Sequence, residues 1–422
     1  MVTYVALLML LQLGLAPAEA TLCSALLFVP WVLKSFMRPW VSRVGHFRFM
    51  LHLIEVLLFV ALVLLALSFK PFPIHFSFFN NLPSSLRSGA DGTFFTLHSS
   101  LFTLLALLLV SLLAAWHELV ARMYYERMLR PAFQRLFTVP KLACSQMAVI
   151  ITYGALIFLV GTLEVYFRQI RYSWAMGCYV AAGIFLLFAF HHLLWLRGAR
   201  ECEAEQSTKD STQLPGRQEK RHVPFPVTHC IILFLLLLPQ ALMFHARVLY
   251  LFDTHAHGGL QCTMQEIGFA QGTVGVIAFS LGIALGRVLI NRYSLQRFFW
   301  PMSFCLVLSP FVYLAMTIWP PQSLWHLCCC TMTAQLLFGL GIGVCRLPIS
   351  KISGNRYRNT ISMLQIPLVA AAMVVPMAIS GWMVQQMGYN AFFLVNALAA
   401  PVCLLGVYLL RPTTSTFFPF SM

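Results

Sequence analysis

The sequence predicts an all-α, polytopic membrane protein of about twelve transmembrane helices in two six-helix pseudo-repeats, the first helix truncated. Three observations carry this expectation. Hydrophobic residues make up 59% of the 422 and charged residues 10%, with a mean hydropathy of +0.79. A soluble domain carries roughly 25% charged residues, so this chain cannot cover a water-facing surface. The apolar residues also come in runs near the ~20 residues that a helical span requires. Finally, the basic residues collect in every second connection between the runs.

The runs fall at 2–15, 20–36, 49–68, 95–118, 143–164, 174–196, 226–250, 263–286, 298–318, 323–346, 360–384 and 389–410. Each must be helical, because hydrocarbon offers no partner to free backbone N–H and C=O groups. Runs such as 101–110 do not alternate apolar with polar, which excludes a β-barrel. The segment before residue 20 has two readings. Ala18-Glu19-Ala20 resembles a signal cleavage site, but a basic n-region is missing, and at about 14 apolar residues the run is short for a span.

The polar stretch around Glu201, Glu203, Glu205, Lys209, Lys220 and Arg221 divides the runs six and six. The expected organisation is an N-terminal bundle over 1–197, a cytoplasmic linker over 198–224, a C-terminal bundle over 225–411 and a tail over 412–422. With both termini cytoplasmic, only Lys70, Arg87, Arg168, Arg171 and Arg247 of the 28 basic residues fall outside. All the others fall inside, Lys34 in the second inner segment among them. Membrane insertion therefore accounts for the net charge of +15, and no nucleic-acid partner is expected. The 12 cysteines are scattered, and Cys328, Cys329 and Cys330 point in different directions on a helix, so neither a disulfide framework nor a metal cage is expected.

Equivalent loops of the two halves are alike. Arg38 and Ser42-Arg43-Val44-Gly45-His46-Phe47-Arg48 follow the second run, and Gly286-Arg287 and Asn291-Arg292-Tyr293-Ser294-Leu295-Gln296-Arg297 follow the eighth. Both resemble the cytoplasmic gating loop of the major facilitator superfamily, with Ser42 and Asn291 where that loop has Asp. Within that superfamily the chain resembles the AmpG-type muropeptide permeases and their acetyl-CoA-transporter relatives. The resemblance rests on Ala16-Pro17-Ala18-Glu19-Ala20, Phe28 to Lys34, Met37 to Arg43, Glu266-Ile267-Gly268 with Gly275, Gly282 and Gly286, and Met387-Gly388-Tyr389-Asn390-Ala391-Phe392-Phe393. It places Glu19 in the first external turn, favouring a truncated first helix over a signal peptide. At the end of span four the family has two acids in "Q-D-I-A-x-D", where this chain reads His117-Glu118-Leu119-Val120-Ala121-Arg122. One acid survives and the other position is a cation, so proton coupling through that pair is altered or lost.

Ionisable groups inside spans are costly and are candidates for function. The proton-coupling candidates are Glu118 with His117, Glu266 and Glu55. Against them stand an ion pair of Glu118 with Arg122, a helix cap at Glu266, and a helix–helix hydrogen bond at Glu55, which has His52 one turn earlier. Glu164 is expected to pair with Arg168. The substrate candidates are Arg247, which suits a carboxylate or phosphate, together with Gln240, His245, Gln271, Gln335 and Gln365. Pro239 is positioned to break span seven and free a carbonyl. The gating-loop candidates are Arg38, Arg43, Arg287 and Arg292.

No catalytic constellation and no cofactor motif occurs in the sequence. The resemblance implies a monomeric permease of the bacterial inner membrane, in contact with the lipid bilayer. It would move a small-molecule solute such as a sugar-peptide or amphiphilic anion inward with protons. A transporter-fold sensor or scaffold with lost coupling is the alternative, and an integral-membrane enzyme a more remote one. The charge alternation gives a direct expectation. A fluorescent reporter that matures only in the cytoplasm should fluoresce when inserted in 198–224 and stay dark when inserted in 251–262; the opposite result refutes the orientation.

Overall fold

A computed structural model describes residues 2–44, 46–69, 84–128, 136–195, 227–293, 295–352 and 354–409. The expected linker at 198–224 and tail at 412–422 lie outside the described residues. Every regular element among those described is helical. The helices are α1 (Val2–Gln12), α2 (Pro17–Leu26), α3 (Val29–Val44), α4 (Phe47–Ser68), α5 (Ser84–Met128), α6 (Thr138–Ile150), α7 (Leu156–Phe167), α8 (Ile170–Trp195), α9 (Val227–Phe252), α10 (Met264–Ile267), α11 (Val276–Tyr293), α12 (Leu295–Ile318), α13 (Leu324–Ile352), α14 (Gly354–Ala399) and α15 (Val402–Leu409). Within the described residues nine helices are long and apolar enough to cross a membrane. The protein is a multi-pass integral membrane protein.

Breaks in the helices explain how these elements correspond to the twelve runs. Gly14, at φ +91°, ends α1 and lets the Leu15 N–H close onto the Leu10 carbonyl at 3.1 Å. The second span is two helices, α2 and α3, because Pro30 has no N–H to continue the ladder. The Trp31 N–H turns to Phe28, and the Leu27 carbonyl left over accepts the Ser111 hydroxyl of α5 at 2.5 Å. The break therefore leaves no orphaned acceptor there. Pro239, by contrast, sits inside a continuous α9, so the expected break in span seven does not occur. Its carbonyl also receives the Asn396 amide of α14 at 3.3 Å.

The eleventh and twelfth spans join at Gly388, at φ +75° and ψ 167°, a conformation that L side chains rarely adopt. Successive contacts with α9 show the reversal. Met377 faces His245, Tyr389 reaches Asp253, Asn396 reaches Pro239, and Gly406 lies against Leu236 and Ile232. The chain thus climbs alongside α9 and then descends.

Outer and inner here follow the charge-based orientation, the outer end being that of the α9–α10 loop. At the outer end one apolar core is shared by the first six spans and the last six. It runs from Tyr4 and Leu7 through Trp174 to Leu249, Met264 and Phe393. At the inner end there are two separate cores. One holds Val41, Phe47, Leu58 and Val120, the other Ile232, Phe299, Met302 and Val407. The apolar packing is thus continuous at the outer end and divided between the halves at the inner end. Arg38 and Arg43 lie on α3, and Arg287 and Arg292 on α11, all on helical extensions and not on loops as expected. Arg43 and Arg292 stand in the last turns of these helices, where basic side chains are favoured.

The outer closure rests on glycine. Each of the fifth and eighth spans carries a π-helical segment, Ile151–Ala155 and Gly268–Gly275, and the two segments face each other. A Cβ on Gly272 would sit 2.1 Å from the Tyr153 carbonyl oxygen, and one on Gly268 2.9 Å from the Phe158 nitrogen. Across the second and eleventh spans, a Cβ on Gly381 would meet the Pro17 carbonyl at 2.4 Å. Backbone cannot swing aside as a side chain can. Gly272→Ala should therefore cost about 1–3 kcal/mol by overpacking, lowering the unfolding midpoint in detergent, whereas Gly183→Ala, in open space, should leave it unchanged.

Candidate functional site

The groups between the halves gather where the first, second, fifth, seventh and eighth spans meet. Tyr4 of α1 and Tyr153 of the π segment stack with ring centroids 4.4 Å apart. The Arg247 charge acts on both hydroxyls, and its guanidinium lies 5.1 Å from the Phe244 ring centroid. Among the described residues, the buried Arg247 Nε and Tyr4 hydroxyl have no hydrogen-bond partner. Two unpaired polar groups, one from each half, thus share one locale. Arg247 is half-buried, with its guanidinium over the Phe244 ring of its own helix.

The expected glutamines divide. Gln271, buried in the eighth-span π segment, donates to the Tyr313 hydroxyl at 3.0 Å, and Tyr313 is near enough to Tyr4 for the two hydroxyls to interact electrostatically. Gln240 is buried with its Nε2 unpaired among the described residues. Gln335 is buried on α13, where a Cβ on Gly275 would touch its Cγ at 3.4 Å. Gln365 lies outside the residues whose side chains are described. His245 is fully buried; its Nε2 lies 3.2 Å from the Ser24 hydroxyl, its Nδ1 3.2 Å from the Met377 carbonyl, and Ser24 donates to the Thr3 carbonyl at 2.6 Å. This chain laces spans one, two, seven and eleven together, so His245 has a structural job at the closed end.

The acidic candidates separate further. His117 and Glu118 are sequence neighbours but face different helices. His117 meets Glu55 of α4 at 3.3 Å, while Glu118 meets Lys34 Nζ at 2.6 Å and accepts the Trp31 indole N–H at 2.9 Å. The expected Glu118–Arg122 pair is replaced, since Arg122 binds Glu126 at 2.9 Å. Lys34, placed by charge alternation among inner segments, is a buried side chain within α3. Glu266 closes a capping box with Thr263, accepting the Thr263 N–H at 2.8 Å. Glu164 accepts the Gln12 amide at 2.8 Å and not Arg168, which turns away at φ +53° to end α7. Gln12 in turn receives the Trp174 indole at 2.7 Å.

Among the gating candidates, Arg38 approaches Glu126 at 3.7 Å, while Arg43, Arg287 and Arg292 are exposed. Outside the spans, burial and then Glu266 push the Cys262 thiol up to about 12, so it is not a thiolate at neutral pH. Among the described residues no group of His, Cys, Asp and Glu is disposed to hold a metal ion. Sequence reasoning passed over Tyr4, Tyr153, Tyr313 and His192. A tyrosine before a glycine, and paired histidines, inside apolar runs were the available signals.

This is the fold of the major facilitator transporters. The chain is similar to the D-xylose–proton symporter, with a TM-score of 0.64 and 14% identity over 98% of this chain and 94% of that one. It is similar to the nucleoside transporter NupG, at 0.64 and 14% over 97% and 94%. It is also similar to a bacterial homologue of the iron transporter ferroportin in an inward-facing state, at 0.63 and 15% over 96% and 93%. No protein-family model and no curated protein sequence matches the chain.

Tyr313→Phe removes the acceptor of the Gln271 amide in a buried setting. It should lower stability by about 1–3 kcal/mol, read as a lower unfolding midpoint; an unchanged midpoint contradicts the bond.

Proposed function

We propose that the protein is a solute permease that works by alternating access and carries an anionic, hydrogen-bonding solute between its two halves. Arg247 carries this reading: a guanidinium with an unpaired Nε, within electrostatic reach of the unpaired Tyr4 hydroxyl of the other half. A guanidinium can take a carboxylate or phosphate in two parallel hydrogen bonds. Gln240 and Gln335 are suited to hydroxyl or amide groups of the cargo. A sugar-peptide of muropeptide type has both features, and the sequence resemblance favours it.

The shared outer core and divided inner cores support reading this as an inward-facing state, while the placement of Arg and Lys supports cytoplasmic termini and the sequence resemblance a bacterial inner membrane. Proton coupling belongs to the same proposal. Its candidates are Glu118, held by Lys34 between α3 and α5, and Glu55, whereas Glu266 is engaged as a helix cap. The fold neighbours named for xylose–proton symport and nucleoside transport support a transporter.

Proteoliposomes with an imposed inward proton gradient test the proposal. Wild type should accumulate labelled anhydro-muropeptide, Arg247→Gln should lose at least tenfold in uptake, and collapse of the gradient should abolish accumulation. Absence of uptake by wild type favours the sensor or scaffold alternative, and full activity of Arg247→Gln removes the anion site.

A further inference from the structure

Away from the junction of the halves, the first six spans hold a second polar cluster. Glu55, halfway along α4, has a side chain only 1% exposed. Its Oε1 meets His117 Nε2 of α5 at 3.3 Å and His192 Nδ1 of α8 at 2.5 Å. On the other side, His52 Nδ1 lies 3.8 Å from Oε2. Both Glu55 Oε2 and His52 Nε2 are buried without a hydrogen-bond partner among the described residues. The imidazoles are not sealed, since His52 is 17% exposed and His117 and His192 are each 27% exposed. The carboxylate is thus enclosed, while each histidine keeps a path to the surface.

The neighbouring charges are otherwise engaged. From α4, Arg48 donates to the Leu193 carbonyl at 3.1 Å and its charge is felt at His52. From α8, His191 turns to Trp195, its ring 6.1 Å away. From α5, Glu118 is taken by Lys34 of α3. One carboxylate therefore serves three imidazoles. With a single proton on the histidines the cluster is neutral. Each further proton leaves an uncompensated positive charge in a low-dielectric interior, beside Arg48, where such charge is expensive. Histidine exchanges protons in the physiological range, and this cluster is the junction where α8 meets α4 and α5.

We propose that Glu55, His52, His117 and His192 form a proton-binding site that clamps the inner end of α8 to α4 and α5, and that uptake of a second proton releases it. This does not rest on the permease reading, because it concerns proton binding and the hold on α8, whatever the cargo. A purely structural polar contact would hold equally at any pH, and a glutamine at position 55 would preserve it by accepting one N–H.

The full-length protein in nanodiscs, followed by hydrogen–deuterium exchange of the segment 186–195 and corrected for the pH dependence of chemical exchange, separates the two. Between about pH 8 and about pH 5, where histidine changes charge, wild-type protection should fall by roughly tenfold or more, the factor of one unit in proton affinity. Glu55→Gln should flatten this step, as should His192→Gln, which keeps a donor but cannot take a proton. The second variant decides if the first fails to fold. A wild-type segment equally protected at both pH values overturns the proposal, and so does a step that survives unchanged in a folded variant.

Discussion

The structure depends on backbone meeting backbone at the fifth and eighth spans. In hydrocarbon, apolar side chains gain little by leaving lipid for protein, so helices associate through close packing and a few hydrogen bonds. Gly154, Gly161, Gly268 and Gly272 remove the side chains that would hold these spans apart. The facing π segments supply the irregular surfaces that fit together. This contact anchors the common outer core and holds Tyr153 within electrostatic reach of Arg247.

Polar groups fall into two kinds by how completely they are satisfied. Ser111 on Leu27, Ser24 on Thr3 and Gln12 between Glu164 and Trp174 complete a backbone or side-chain valence and act as fasteners. Arg247, Tyr4 and Gln240 retain unpaired atoms while buried. Burial of an unsatisfied polar atom costs on the order of 1–3 kcal/mol, and the Arg247 Nε and the Tyr4 hydroxyl bear that cost on spans of opposite halves. That cost is the physical ground for treating Arg247 as a ligand group, while the contacts of His245 with Ser24 and Met377 mark it as architecture.

Much of the architecture was legible in the chain, because one solvent imposes it. Run lengths and the side-to-side placement of Arg and Lys follow from bilayer thickness and insertion, and Gly388 before Tyr389 marked the last reversal. The site was legible in part. A helix turns by about 100° per residue, so the adjacency of His117 and Glu118 concealed that one faces α4 and the other α3. Lys34 was hidden because counting charges by side puts every lysine near a boundary into water, although this one is neutralised inside α3 by Glu118. Tyr153 and His192 read as filling in apolar runs, and only the three-dimensional crossing of helices brings them to Arg247 and Glu55.

The turn at Gly388 has a consequence for biogenesis. Met377 and Asn396 both register on α9, and a single residue, with no loop on either side, reverses the chain between their helices. Such a joint has no slack from which a polar connection could be threaded across the bilayer after the eleventh span has entered. The last two spans are therefore joined as one closed hairpin against α9, a geometry that favours their entering the membrane as a unit.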